Sequence, residues 1–235
     1  MTAGTAAGTP VAGEGLAVLG IDPGRRWTAG VLRVGAEARY GWTVGPVDEV
    51  GRPDAAAVDE VDDVSAWGRY MRRVLDQVEA TFDWHGGPVH LACEVIVPPL
   101  GRRIALADWL VPRQILAGLI AYDPNTVLIR AAGHGKAHYD RDARGKLVRA
   151  RPVSAHYPPA LWPAKGRTGG RPAHWGPNEA RRGERDHERA AYDIAGAGAV
   201  VLARRAAQAA QAGRAAARPG SGPGGAAGDA SAGVV

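Results

Sequence analysis

The chain has 235 residues, with 26 arginines, three lysines, a single cysteine and a formal net charge of +5. One cysteine, Cys93, excludes an internal disulfide and any multi-cysteine zinc site, which fits a reducing cytoplasm, and no run of 18 or more apolar residues is present to span a membrane. The charge is placed unevenly: residues 1–100 hold 8 basic and 14 acidic side chains, residues 101–235 hold 21 and 10, and such a basic half suits either a polyanionic partner or a solvated arginine-rich surface.

In chain order, residues 1–15 are small and polar, lack the basic and apolar regions of a signal peptide, and are expected to be disordered. LAVLGID (16–22) reads as a buried strand ending in an aspartate, followed by a Pro23-Gly24 turn. WTAGVLRV (27–34) and ARYGWTV (38–44) are two further strands joined across Gly35-Ala36-Glu37, so an antiparallel meander is expected. Val64, Trp67, Met71, Val74, Val78 and Phe82 recur at spacings of three and four, the pattern of an amphipathic helix over 64–82. PVHLACEVIV (88–97) is a fourth strand, and a helical region runs from about Ile104 to Tyr122, where Pro112 either kinks the helix or opens a second one. TVLIRA (126–131) is a fifth strand. The next 54 residues, 132–185, are rich in Gly, Pro, His and basic side chains, far too long for an ordinary connection. DHERAAYDIAGAGAVVLARRA (186–206) reads as a helix that Asp186 caps or opens. The Ala/Gly/Pro-rich end, 206–235, cannot bury enough surface to order itself, although its first part could extend the helix. One domain over 16–205, of order β-β-β-α-β-α-β-long loop-α, is thus expected.

Three carboxylates stand where a metal site would use them. Asp22 ends the first strand, Glu94 lies within the fourth, and Asp193 lies on the last helix, seven residues and about two full turns beyond Asp186. Asp22 and Glu94 sit inside apolar runs, and a buried carboxylate is costly unless it is paired, hydrogen-bonded or bound to a cation. Clustered acids repel one another, and a hard cation such as Mg²⁺ or Mn²⁺ relieves that repulsion.

VLGIDPGRRWTAGVL resembles the first strand and turn of the RuvC family of Holliday-junction resolvases, CEVIVPP their acidic buried strand, and DHERAAYDIAGAGA their C-terminal helix. AAGHGKAHYD, HYPPALWP and HWGPNEARRGERDHERAAYD look like RuvC-like resolvases of actinobacterial phages. The resemblance spans about residues 16–205. It implies an α/β, RNase H-like mixed five-stranded sheet, three antiparallel strands then parallel ones, flanked by helices. It also implies an endonuclease that cleaves four-way DNA junctions with two Mg²⁺ (or Mn²⁺) ions per site. Asp22 would bridge the ions, Glu94 and Asp193 would flank it, and His187 would orient water or the leaving group. The products would carry 5′-phosphate and 3′-hydroxyl ends, and a homodimer would present two sites to a two-fold junction. The sequence departs from the family at Ala190, where a second acid usually precedes the last aspartate; Asp186 or His187 could supply that function. The loop over 132–185 is also longer than the family's.

Plainer readings stand beside these. Asp22 could form the strand-end turn, Glu94 could pair with a core arginine, Asp193 could be a surface helix residue, and Asp186 could be an N-cap. His134 and His138 lie among glycines and suit loop or DNA contact better than a metal. Trp27, Trp42, Trp67 and Trp109 are expected in the core, while Trp162 and Trp175 either stack on unpaired bases or pack locally. Lys136, Arg141, Arg144, Lys146, Lys165 and Arg167 are candidate phosphate contacts. Alternative functions on the same fold are a YqgF-like nuclease acting on RNA, a nuclease for forks or flaps, and a non-catalytic DNA-binding module. A sugar kinase shares the strand-Asp-Gly opening but needs two such domains, which 190 residues hardly accommodate.

Overall fold

The computed structural model of the protein describes residues 15–59, 63–97, 105–130, 139–141, 147–149, 171–180 and 186–216. Two compact units divide it: residues up to Val201, which hold the sheet, and residues from Leu202, whose described part is the last stretch of a helix.

The sheet has five strands, β1 (Ala17–Asp22), β2 (Thr28–Val34), β3 (Glu37–Val44), β4 (His90–Val95) and β5 (Val127–Arg130). Their order is β3-β2-β1-β4-β5. β1 pairs antiparallel with β2 and β2 with β3, whereas β4 runs parallel to β1 and β5 parallel to β4. This is the mixed five-stranded sheet expected, three antiparallel strands followed by parallel ones. β1 lies at its centre, so every residue of AVLGID is buried, which is why the run is almost wholly apolar. Gly35, with φ of 58°, turns the β2–β3 hairpin.

Two helices pack on one face. α1 (Val64–His85) begins at Asp63, whose side chain accepts from the Ala66 amide at 2.9 Å, and stops at Gly86, which is left-handed and donates its N–H to the Phe82 carbonyl. It buries Ala66, Tyr70, Val74, Val78 and Thr81; of the periodic positions predicted, Val74 and Val78 are buried, Trp67, Met71 and Phe82 pack partly buried against the core, and Val64 is exposed. α2 (Leu106–Tyr122) is one continuous helix that contains Pro112, so the proline does not open a second element. It buries Ala107, Val111, Ile115 and Leu119, spaced by four, and Gly118 lets Met71 of α1 come close. Leu19, Ile21, Leu91 and Cys93 join these side chains in the main core, and Trp42 donates from Nε1 to Thr81 Oγ1 at 3.1 Å.

α3 spans Asp186–Ala216, and its part within the first unit lies on the other face. A side chain at Gly20 would collide with the backbone of Ala191 and Ala195, and one at Gly198 would press on Ala92 and Val18. The helix therefore lies backbone-close on β1 and β4, at a contact only small residues permit. α3 continues to Ala216, the extension of the helix that the alanine-rich start of 206–235 left open.

Two differences from expectation concern residues 132–185. A short hairpin, β6 (Tyr139–Arg141) with β7 (Leu147–Arg149), occurs within it. Residues 171–180 dock on β3: the Thr43 N–H donates to the Pro177 carbonyl at 2.7 Å, and the Glu179 N–H to the Thr43 carbonyl at 3.1 Å. That contact pairs backbone groups on the outer edge of the sheet. Trp175 packs over Gly41, buried in the core, so of its two expected uses local packing is the one observed. Trp42 is fully buried and Trp27, Trp67 and Trp109 are half-buried.

Candidate functional site

Side chains alternate across a strand, so Gly20 and Ala92, which face α3, fix the direction of Asp22 and Glu94 two residues on. The parallel register pairs Gly20 with Ala92 and Ile21 with Cys93, which puts Asp22 and Glu94 in the next row. Adjacent strands lie about 4.8 Å apart. The two carboxylates thus stand side by side at the carboxyl ends of β1 and β4, the end of a parallel pair where ligands of α/β sheets gather. Asp22 is 8% exposed and Glu94 6%.

The same row continues through β2 and β3, because Asp22 pairs with Ala29 and Ala29 with Thr43. The first turn of α3 meets this row at two points. His187 Nδ1 lies 2.8 Å from Asp22 Oδ2; an ionised carboxylate only accepts, so the imidazole donates. Its ring edge lies beside Gly24, where a side chain would come within 3.6 Å of Cε1. Next along the helix, Glu188 is 1% exposed and accepts at Oε1 from Thr43 Oγ1 at 3.2 Å and from Arg171 Nε at 3.1 Å. Ala29, between Asp22 and Thr43, is small enough for the helix turn to pass over it.

Arg171 also donates to the carbonyls of Gly176, Gly41 and Pro177, and its guanidinium lies over the Trp175 ring. Glu179 pairs with Arg73 of α1 and accepts from the Gly45 N–H at 3.0 Å. Beneath the β1–β2 turn, Tyr70 donates to the Gly24 carbonyl at 3.0 Å and meets Thr28 Oγ1 at 2.8 Å. Burial pushes the Tyr70 phenol above its usual range, so it stays a neutral donor at this turn. Burial likewise raises the Cys93 thiol, with Asp22 and Glu94 adding to the effect, which leaves this cysteine protonated on the opposite side of β4.

Of the expected trio, Asp22 and Glu94 stand in the same row on neighbouring strands, and His187 is bonded to Asp22. Asp193 lies further along α3 and is 2% exposed, so its carboxylate is as buried as theirs. Asp186 opens α3, and its side chain is outside the described residues. The same is true of the side chain of Arg141 in β6. Lys136, Arg144, Lys146, Lys165, Arg167, His134, His138 and Trp162 lie outside them altogether.

Among the described residues, no group of three or more His, Cys, Asp or Glu is gathered to hold a metal ion. Two neighbouring carboxylates are nonetheless a suitable donor set for Mg²⁺, which keeps several waters and takes one or two carboxylates plus phosphate oxygens. Separately, a surface cavity of about 400 Å³ lined by Arg26, Trp27, Pro46, Pro53, Asp54, Ala55 and Glu179 opens near the β1–β2 turn, and none of Asp22, Glu94 and His187 lines it.

Thr43, Arg171 and Glu188 were not singled out by the sequence. Glu188 adjoins His187 at a helix start, but nothing local shows that its carboxylate is buried. No helix among the described residues is long and apolar enough to cross a membrane. No protein-family model and no curated protein matches the chain. Among solved structures, the chain is similar to RuvC of T. thermophilus, determined in complex with a Holliday junction substrate. The identity is 18%, the match covers 77% of this chain and 90% of that one, and the TM-score is 0.42.

Proposed function

We propose that the protein is a metal-dependent, structure-selective endodeoxyribonuclease that acts on four-way DNA junctions, in recombination, repair or phage DNA processing. The observation that carries the reading is the pair of buried carboxylates, Asp22 and Glu94, side by side at the carboxyl ends of β1 and β4, with His187 bonded to Asp22. The motifs around these residues, which resemble those of RuvC-type resolvases, direct the choice of substrate. Asp22 and Glu94 would hold Mg²⁺, with waters and phosphate oxygens completing its shell. The chemistry such an ion supplies is activation of a water and neutralisation of charge on the phosphate. A second ion would need further acids, and Asp193 and Asp186 of α3 are the residues proposed for it.

The chain's own residues then have separable tasks. Asp22 fixes the imidazole of His187 through Nδ1, which directs Nε2 to exchange a proton with water or the leaving oxygen. Basic residues of 132–185 hold the phosphates of the duplex arms. A homodimer would make the two symmetric cuts that a junction requires.

The test is cleavage of four-way, forked, linear and RNA substrates with Mg²⁺ added and withheld. Metal-dependent cutting of the four-way DNA is expected, and cutting confined to RNA or linear duplex would refute it. A second reading is a DNA-binding module of the same fold without catalysis. It predicts junction binding that no divalent metal converts to cleavage.

A further inference from the structure

We propose that Glu188, Arg171 and Thr43 form a pin that sets the rotation of α3 and so positions His187 against Asp22. The closest approach of α3 to the sheet is at Gly20, Ala191, Ala195 and Gly198, a surface with few of the interdigitating side chains that fix how a helix is turned about its axis. Beyond it Tyr192 and Ile194 are fully buried, and the Tyr192 hydroxyl donates to the Ala36 carbonyl at 2.6 Å. At the first turn, next to His187, the directional bonds come from Glu188, a buried carboxylate whose Oε1 takes both Thr43 Oγ1 and Arg171 Nε. An ion pair in the interior costs desolvation, and its best-attested use is to specify register.

The anchor is itself held. Arg171 spends its remaining donors on the Gly41, Gly176 and Pro177 carbonyls, and residues 177–179 bond to both sides of Thr43. Glu188 is thus tied to β3 through Thr43 directly and through Arg171. His187 is its immediate neighbour, about 100° round the helix, and Asp22 lies in the same cross-strand row as Thr43. A small rotation of the first turn would carry the imidazole off Asp22 while leaving the glycine contact intact. Glu188 and Arg171 are positioning residues, since neither touches the proposed reacting atoms. Their consequence for catalysis rests on the nuclease reading above; the placement of His187 does not.

The experiment is ¹⁵N NMR of the His187 ring, kept neutral, in the full chain and in Glu188→Gln, Arg171→Lys and Thr43→Val. Wild type is expected to hold the proton on Nδ1. Glu188→Gln and Arg171→Lys should relax the ring toward the tautomer mixture of free imidazole, with Thr43→Val a smaller step the same way. In junction cleavage, kcat should fall about 10- to 100-fold in Glu188→Gln with junction affinity unchanged. Should Glu188→Gln fail to fold, the other two variants provide the same readout. An unchanged tautomer signal in the folded variants overturns the proposal. A wild type that cuts nothing, but whose signal relaxes in the variants, removes the nuclease reading and leaves the pin standing.

Discussion

The two faces of this sheet are built from opposite materials. Against α1 and α2, large apolar side chains such as Leu19, Ile21, Leu91, Val74, Val78, Ile115 and Leu119 interlock with Trp42 and Tyr70. Against α3, the sheet offers Gly20, Val18 and Ala92 to Ala191, Ala195 and Gly198 of the helix, and then a row containing Asp22, Glu94 and Thr43. The first face draws its stability from buried area, at roughly 1.5–3 kcal/mol per large side chain. The second gives up much of that gain to bring a helix backbone close and to keep carboxylates away from water. Local stability surrendered around charged groups is what a binding or catalytic face requires.

That contrast can be broken at several points. The largest effect is expected at Asp22. Asp22→Asn should reduce junction cleavage by about 10³-fold while leaving the fold and junction binding intact, as read by gel shift beside a cleavage assay. Equal cutting by mutant and wild type would show that the charged face is not catalytic. His187→Ala comes next, with a loss of about 100-fold if the ring moves a proton. A loss in binding instead of turnover would reassign it to DNA contact.

Stability measurements sharpen the same comparison in opposite directions. On the α1/α2 face, Leu19→Ala should cost about 2–5 kcal/mol because it leaves a cavity. On the α3 face, the damaging change is an addition: Gly20→Ala should cost about 1–3 kcal/mol by overpacking against Ala191 and Ala195. Denaturant unfolding of the two variants separates these, and a neutral Gly20→Ala would mean that α3 does not rest on β1. The smallest effect is expected at Arg25, which pairs with Asp59 and with Asp108 at the partly exposed top of the sheet. Those partners raise the Arg25 pKa, so it is charged at any working pH, but solvent screening limits Arg25→Ala to about 0–1 kcal/mol.

Much of the architecture was legible before the structure. Apolar runs located the five sheet strands and a period-3.6 spacing located α1 to within a few residues, because such patterns record which positions meet water. The bounds of α2 and the start of α3 were also legible, but not the end of α3 at Ala216. Asp22 and Glu94 were legible for a related reason: a charged residue inside an apolar run breaks the pattern that burial imposes. The docking of 171–180 was not, since Arg171, Trp175 and Glu179 find their partners at Gly41, Thr43 and Arg73, over 90 positions away. Nor was β6–β7 visible among the glycines and charges of 132–185.

What the chain by itself determined is therefore the set of elements, their order, and the two acids that interrupt buried strands. Only tertiary structure decided which way α3 is turned. Its first half mixes alanine and glycine with Tyr192 and Ile194, so no single apolar stripe marks the face that meets the sheet. The contact of Ala191 and Ala195 with Gly20, together with the bonds of His187 and Glu188, set the first turn over the row of β1 and β3. Helix rotation is a property of two packed surfaces, and one of them lies elsewhere in the sequence.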